Sequence, residues 1–161
     1  MTDAKSVHVV SASARIDAPP DRVYGIIADY RNGHPHILPK PFGPLTVDEG
    51  GYGAGTVIRC SISVMGRKMP FRAAISEPRP GRVLVESIEG PNPSVTTFTV
   101  EPGPTGQESD VTISTEVPDR GGLAGTIERF ITTRMLRPLY KDELALLAAV
   151  ATAAARPPLI G

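Results

Sequence analysis

The chain has 161 residues, a length that suits one domain with a single core, so we treat residues 1–161 as one domain. Its 17 basic and 17 acidic residues give a formal net charge of zero, and the scattered basic residues argue against a nucleic-acid surface. Without a membrane-length apolar run or the apolar core of a signal peptide, we expect a cytoplasmic protein that is not integral to a membrane.

The first part of the chain predicts a strand, a short helix and an irregular segment. Residues 7–16 alternate loosely between apolar and polar, which is typical of a strand. Asp17 as a helix cap, with two prolines after it, predicts a short helix that ends near Tyr30. Residues 31–44 contain four prolines and two glycines, which favours a loop or a broken helix.

The middle of the chain predicts a meander of antiparallel strands. Short segments with alternating apolar residues are separated by turns rich in Gly and Pro, and this regular turn spacing is typical of consecutive hairpins. The predicted strands are residues 45–48, 56–64, 69–75, 82–89, 94–101 and 111–117.

Residues 123–155 form the one long stretch with helical spacing. At 1.5 Å per residue, this helix would be roughly 45–50 Å long. Pro138 removes one backbone hydrogen bond, so we expect a bend or an interruption near Arg134. The apolar stripes on either side of that proline are Leu123, Ile127, Phe130 and Ile131 before it, and Leu139, Leu146, Leu147 and Val150 after it.

The order of these elements resembles the START-like, or SRPBCC, superfamily, and within it the polyketide cyclase/dehydrase and lipid-transport branch. Three segments carry the resemblance. They are residues 16–24 with Asp29-Tyr30 closing the short helix, the glycine-rich loop EGGYGAGT at residues 49–56, and the terminal helix. The second segment is similar to the loop of the birch-pollen-allergen relatives.

The resemblance implies an α+β helix-grip fold. In this fold a curved antiparallel sheet of about seven strands wraps around a long C-terminal helix, with one or two short helices between strands 1 and 2. The resemblance also implies a cavity between sheet and helix that holds a hydrophobic small molecule, lipid-like or polyketide-like. The residues expected to line this ligand pocket are Tyr30, His34, Phe42, Ile58, Cys60, Ile62, Phe71, Glu86, Thr96, Phe98, Phe130, Ile131, Arg134 and Met135.

Three hypotheses for the function stay open. The protein is a non-catalytic binder of the hydrophobic molecule, a cyclase, aromatase or dehydratase that uses the same cavity, or a protein-interaction module such as a co-chaperone. Titratable groups converging in the cavity would favour the enzyme, a purely apolar cavity the binder, and a large exposed apolar patch elsewhere the interaction module. No cofactor is expected, and both a monomer and a homodimer fit the sequence.

Glu86, His34 and Arg134 are the candidate catalytic residues. Glu86 lies in a strand with two partly apolar faces, so it points either into the cavity, as an acid or base, or outwards beside Arg72. Arg134 either anchors a carboxylate or enolate of the ligand, or keeps its charge in water. His34 lies either at the pocket mouth or on the surface.

No metal or nucleotide site is predicted. His34 and His36 flank Pro35, but the sequence indicates no third ligand for a metal. The glycine-rich loop is followed by a strand rather than by a helix, so the usual phosphate-binding arrangement is missing and a tight turn at positive φ is expected. Cys60 is the only cysteine, which excludes an internal disulfide.

Pro138 also suggests that the two halves of the long helix differ in role. We expect the half before it, with the loose entry Gly121-Gly122 and with Gly125, to be able to move and to face the ligand. We expect the Ala-rich half after it to pack closely on the sheet. A uniformly packed helix with no cavity beneath residues 130–135 would contradict this.

Overall fold

The computed structural model describes residues 6–153, which form one seven-stranded antiparallel sheet with a long helix on its concave face. The sheet order is β1-β7-β6-β5-β4-β3-β2. Its strands are β1 (Val7–Ile16), β2 (Thr46–Glu49), β3 (Val57–Val64), β4 (Arg67–Arg79), β5 (Val83–Ile88), β6 (Ser94–Pro102) and β7 (Ser109–Pro118). The helices are α1 (Pro20–Ala28), a 3-10 helix (His34–His36) and α2 (Gly122–Ala153). The predicted helix-grip fold is confirmed.

The first and last strands of the sequence, β1 and β7, are neighbours in the sheet. β1 pairs with β7 over its whole length, from Val7 opposite Pro118 to Ile16 opposite Ser109. The inward residues of both strands are buried or half-buried at alternate positions, as the period of two in the sequence predicts. α2 therefore lies against β1 and covers the concave face.

Two local boundaries differ from those predicted. Asp17 does not cap α1, because the cap is Pro19, whose carbonyl accepts the first helical N–H groups. β4 continues through Glu77 and Pro78, which were predicted to be part of a turn. The register shifts between Ser76 and Arg79, and such an irregularity lets a proline remain within a strand.

The hydrophobic core lies between the sheet, α1 and the second half of α2. Its largest fully buried apolar side chains come from all three of these parts and from the segment after α1. They include Ile16, Ile27, Tyr30, Ile37, Leu84, Phe98, Ile113, Leu144 and Leu147.

The two halves of α2 pack differently, as predicted, with the second half as the closely packed one. After Pro138, the helix buries Leu139, Leu144 and Leu147, whereas before it only Gly125 is fully buried. The helix is continuous through Pro138, so the predicted interruption is absent. The predicted helix end at residues 154–155 lies outside the described residues. No helix within residues 6–153 combines the length and apolar character needed to cross a bilayer.

Candidate ligand-binding cavity

A cavity of about 830 Å³ lies between the concave face of the sheet and α2. Its walls are mainly apolar, with large side chains from β3, β4, β6 and α2, among them Ile58, Phe71, Phe98 and Met135. One end opens to solvent. The exposed residues around that mouth come from the β3–β4 hairpin, the β5–β6 turn and the start of α2, and include Arg67, Lys68, Met69, Pro91, Asn92, Arg120 and Glu128.

A row of polar side chains crosses the sheet at the inner end of the cavity. Strand register places Glu86 opposite Thr96, and Thr96 opposite Thr115, on the neighbouring strands β5, β6 and β7. All three residues line the cavity. The hydroxyls of Thr96 and Thr115 are hydrogen-bonded at 2.7 Å, and Thr115 also bonds to the hydroxyl of Tyr140 from α2.

The carboxylate of Glu86 is held by two aromatic residues that follow α1. The hydroxyl of Tyr30 donates to Glu86 Oε1 at 2.6 Å. His34 stacks on the Tyr30 ring with centroids 4.5 Å apart, and its Nε2 lies 3.6 Å from the same oxygen. Because the Ile27 carbonyl can only accept, His34 Nδ1 donates to it at 2.8 Å, which leaves Nε2 directed at the carboxylate.

A tight turn after α1 brings Tyr30 and His34 together. The carbonyl of Asp29 accepts from the N–H of Gly33 and of His34, and its carboxylate accepts from two further backbone N–H groups of the turn. Gly33 fits here for steric reasons, because a Cβ would lie 2.5 Å from the Ile26 carbonyl oxygen. Because the turn needs Gly33, this glycine helps to fix the position of the His34 ring.

The glycine-rich loop supports this turn from the other side. Gly51 accepts a hydrogen bond from the Tyr30 N–H, and Gly53 donates one to the Ala28 carbonyl. The loop glycines have positive φ, as predicted, including Gly53 at 61°. These hydrogen bonds therefore hold the loop against the C-terminal end of α1.

Burial changes the titration of the groups at the inner end. Burial, and next the charge of Glu86, raises the pKa of Glu143 well above its ordinary value. Burial, and next Glu86, likewise raises the pKa of Tyr30. Burial raises the pKa of Tyr140 to about 12. Burial therefore favours the protonated forms of Glu143 and of both tyrosines.

Most of the residues expected in the ligand pocket lie on the cavity wall. They are His34, Phe42, Ile58, Cys60, Ile62, Phe71, Glu86, Thr96, Phe98, Ile131 and Met135. Tyr30 is fully buried behind Glu86 and reaches the cavity only through that carboxylate. Phe130 and Arg134 do not line the cavity.

Phe130 and Arg134 lie on the outer face of α2, away from the cavity. Phe130 is 63 % exposed, and the Arg134 guanidinium lies over its ring, 5.7 Å from the centroid. The alternative in which Arg134 stays in water is therefore the one observed. Leu123 and Ile127 are exposed as well, so an apolar stripe on this part of α2 faces solvent.

The structure also resolves the alternatives for Glu86 and the histidine pair. Glu86 faces the cavity, whereas Arg72 lies within 4.0 Å of Asp48 on the outside of the sheet. Both alternatives for His34 are wrong, because it is buried beside Glu86 at the inner end of the cavity, whereas His36 is exposed. Within residues 6–153, no three His, Cys, Asp or Glu side chains converge closely enough to hold a metal ion.

The sequence reasoning missed Tyr140 and Glu143, two of the main polar groups of the site. A signal was present, because Leu139, Glu143 and Leu147 recur at steps of four on one helical face. A glutamate within a buried apolar stripe marks a polar group turned towards the interior. Glu143 is 3 % exposed and lines the cavity.

The sheet, the gripped helix and the cavity between them define an α+β domain of the helix-grip type. Residues 7–152 match the family described as polyketide cyclase / dehydrase and lipid transport, and the chain belongs to this family. None of the curated proteins gives a significant match.

Solved structures with this fold cover nearly the whole chain. The KanY protein (ms6282) is 27 % identical, with a TM-score of 0.76 over 92 % of this chain and 99 % of KanY. TTHA0849 from Thermus thermophilus is 22 % identical, with a TM-score of 0.75 over 92 % of this chain and 99 % of its own. The Zhui aromatase/cyclase from Streptomcyes sp. R1128 is 16 % identical, with a TM-score of 0.77 over 94 % and 97 %, respectively.

Proposed function

We propose that the protein binds a predominantly apolar small molecule, lipid-like or polyketide-like, in the cavity beneath α2. The cavity itself carries this proposal, because its volume of about 830 Å³ falls within the range usual for small-molecule sites. Its apolar walls favour transfer of apolar ligand surface out of water, at about 25 cal/mol per Å². The polar row at the inner end fixes the orientation of the ligand.

A matched pair of helix variants tests this binding. Ile131 and Phe130 are neighbours in sequence, but only Ile131 lines the cavity. Because half of the Ile131 side chain is already exposed, Ile131→Trp is expected to fill cavity space without unfolding the protein. Phe130→Trp enlarges the outer face instead and serves as the control.

The measurement is native mass spectrometry together with thermal shift over a panel of fatty acids, sterols and aromatic polyketides. The proposal predicts bound species or a raised Tm for the wild type and Phe130→Trp, and weaker binding by Ile131→Trp. Binding that is equal in all three proteins, or absent with every compound, would contradict it.

A second candidate function is catalysis on such a molecule, as a cyclase, aromatase or dehydratase. Converging titratable groups favour it, since His34, Glu86, Tyr140 and Glu143 all line the inner part of the cavity. A purely apolar carrier site has no need of such a cluster. The family description includes cyclases and dehydrases, and one structural relative, Zhui, is an aromatase/cyclase.

These groups suit proton transfer during an intramolecular aldol closure. His34 Nε2 takes a proton from the carbon between two carbonyls, and the enolate carbon then bonds to another carbonyl carbon of the same chain. Protonated Glu143 gives its proton to the oxygen of that second carbonyl, so no electrons enter or leave. Glu86, 3.6 Å from Nε2, stabilises the imidazolium that forms.

The test of this chemistry is turnover of a poly-β-ketone thioester, followed by the absorbance of the aromatic product. The expected result is loss of most turnover in His34→Gln and in Glu143→Gln, with Arg134→Gln unchanged because Arg134 lies outside the cavity. Turnover that survives both cavity substitutions would remove this mechanism while leaving the binding proposal intact.

A further inference from the structure

The carboxyl group of Glu143 lies at the inner end of the cavity without a protein partner. The side chain is almost fully buried and lines the cavity, yet no group among residues 6–153 forms a hydrogen bond with its carboxyl. In the same part of the chain, no side-chain nitrogen or oxygen is both inaccessible and unpaired. The Glu143 oxygens therefore face the accessible space of the cavity.

The polar groups around Glu143 are already paired with one another. Glu86 accepts from Tyr30, and Tyr140 is bonded to Thr115. Burial raises the pKa of the Glu143 carboxyl well above its ordinary value and so favours the neutral form, which has one O–H donor and one carbonyl acceptor. A ligand that fills the cavity removes water from this donor, and a desolvated donor without an acceptor costs roughly 1–3 kcal/mol, so a ligand that supplies the acceptor avoids that cost.

Within the described part of the chain, no Lys or Arg side chain lies at this end of the cavity to receive an acidic ligand, and His34 is already directed at Glu86. The Lys and Arg residues among the cavity-lining side chains are Arg67, Lys68, Arg120 and Arg129. The first three are exposed at the mouth, and Arg129 is paired with Asp119 at 2.5 Å. Glu143 lies fourteen residues beyond Arg129, about 21 Å further along the helix. A carboxylate placed there would meet the charge of Glu86 without a Lys or Arg to compensate it.

We propose that the cavity selects neutral ligands with a carbonyl oxygen at their buried end, bound by the Glu143 O–H, and excludes ligands whose buried end is a carboxylate. The inference rests on the proposed binding function and specifies its ligand class. It sets aromatic or aliphatic ketones apart from free fatty acids, although both are largely apolar. Glu143 is the residue that determines this choice. Its carboxyl has no partner because Glu86 and Tyr140 are already hydrogen-bonded to other residues.

Four naphthalene compounds of nearly equal shape test this selectivity. They are 2-acetylnaphthalene, 2-ethylnaphthalene, 2-naphthoate and 1-(2-naphthyl)ethylamine, with dissociation constants measured by NMR titration at neutral pH. The wild type is expected to bind the ketone about tenfold more tightly than the hydrocarbon, because only the ketone accepts a hydrogen bond from the Glu143 donor. It is expected to bind the carboxylate at least tenfold more weakly than the hydrocarbon.

Two variants assign the preference to Glu143. Glu143→Gln keeps a neutral N–H donor and is expected to retain most of the preference for the ketone. Glu143→Leu removes the donor, and its ketone-to-hydrocarbon ratio is expected to fall to about one while the hydrocarbon still binds.

The outcomes separate this inference from the proposed function. If the wild type binds the ketone and the hydrocarbon equally, or binds 2-naphthoate or the amine most tightly, the selectivity is wrong and the binding function stands. If none of the four compounds binds, both proposals fail. The wild-type ratios alone decide between these results, even if Glu143→Leu does not fold.

Discussion

Glu143→Gln should change how the stability of the protein depends on pH. Gln has almost the same shape as Glu, and its amide cannot titrate. In the native protein, burial and the charge of Glu86 hold the pKa of Glu143 well above its ordinary value, whereas the unfolded chain releases this proton near a pH of about 4.3. The native state therefore keeps a proton that the unfolded state loses.

The sign and the size follow from this difference in bound protons. Below the unfolded pKa both states are protonated, and the Glu143 contribution to stability is fully present. As pH rises towards the native pKa, the unfolded state gains from ionisation, and the free energy of unfolding falls by up to about 1.4 kcal/mol per pH unit. Glu143→Gln lacks this loss, so its stability relative to the wild type should increase with pH.

Urea denaturation followed by circular dichroism, at several values between about pH 5 and pH 8, measures the effect. Only the difference in the free energy of unfolding between variant and wild type is compared, because other titrating groups affect both proteins equally. Asp142→Asn is the control, since Asp142 is the exposed preceding residue on α2. A wild-type-minus-variant difference that stays flat over this range would refute the reasoning that burial keeps Glu143 neutral.

The remaining predictions concern the parts that hold the site. Leu147→Ala, in the packed half of α2, should lower the free energy of unfolding by about 2–5 kcal/mol, and exposed Leu123→Ala should change it by less than about 0.5, both from urea curves; equal costs would contradict the division of the helix. Gly33→Ala should destabilise by about 1–3 kcal/mol because its Cβ meets the Ile26 backbone, whereas Gly25→Ala, with its nearest contact at 3.8 Å, should be neutral or slightly stabilising; similar Tm values for the two variants would count against the turn geometry. Tyr30→Phe keeps the stacked ring but removes the donor to Glu86, and should cost about 1.5–3 kcal/mol; an unchanged urea midpoint would show that this hydrogen bond is dispensable.

The fold was predictable because its signals are local. Alternation along residues 7–16 and Gly- and Pro-rich turns at regular intervals identify the strands, and one uninterrupted helical stretch remains to cover the sheet. The end of β4 was less predictable, because Glu77-Pro78 has the composition of a turn. Pairing with β5 carries the strand past this point, with a shift in register that no local pattern reveals.

The orientation of Glu86 depended on tertiary structure. Both faces of β5 are partly apolar, so alternation alone left the inward face open. The buried Tyr30 hydroxyl supplies a donor from a segment 56 residues away, and this bond stabilises a carboxylate on the concave side. Such a pairing needs the turn after α1 and the strand register together, and neither is visible in the sequence pattern around Glu86.

The misplacement of Phe130 and Arg134 has a physical cause. Sequence reasoning places the apolar stripe of a helix inwards, because burial of apolar surface normally drives packing. The first half of α2, however, spans an open cavity instead of a filled core. Its inward positions include the small or polar residues Gly125 and Thr132, and the apolar stripe with Phe130 lies on the outer face.

The central claim is that an apolar molecule enters the cavity beneath α2, and methionine methyl NMR tests it most directly. Met135 lines the cavity wall, whereas Met65 is 90 % exposed at the tip of the β3–β4 hairpin. In protein with ¹³C-labelled methionine methyl groups, 2-acetylnaphthalene is predicted to shift the Met135 signal in a saturable manner and to leave Met65 unchanged. A Met135 signal that does not move at saturating probe, or a shift confined to Met65, would contradict the account.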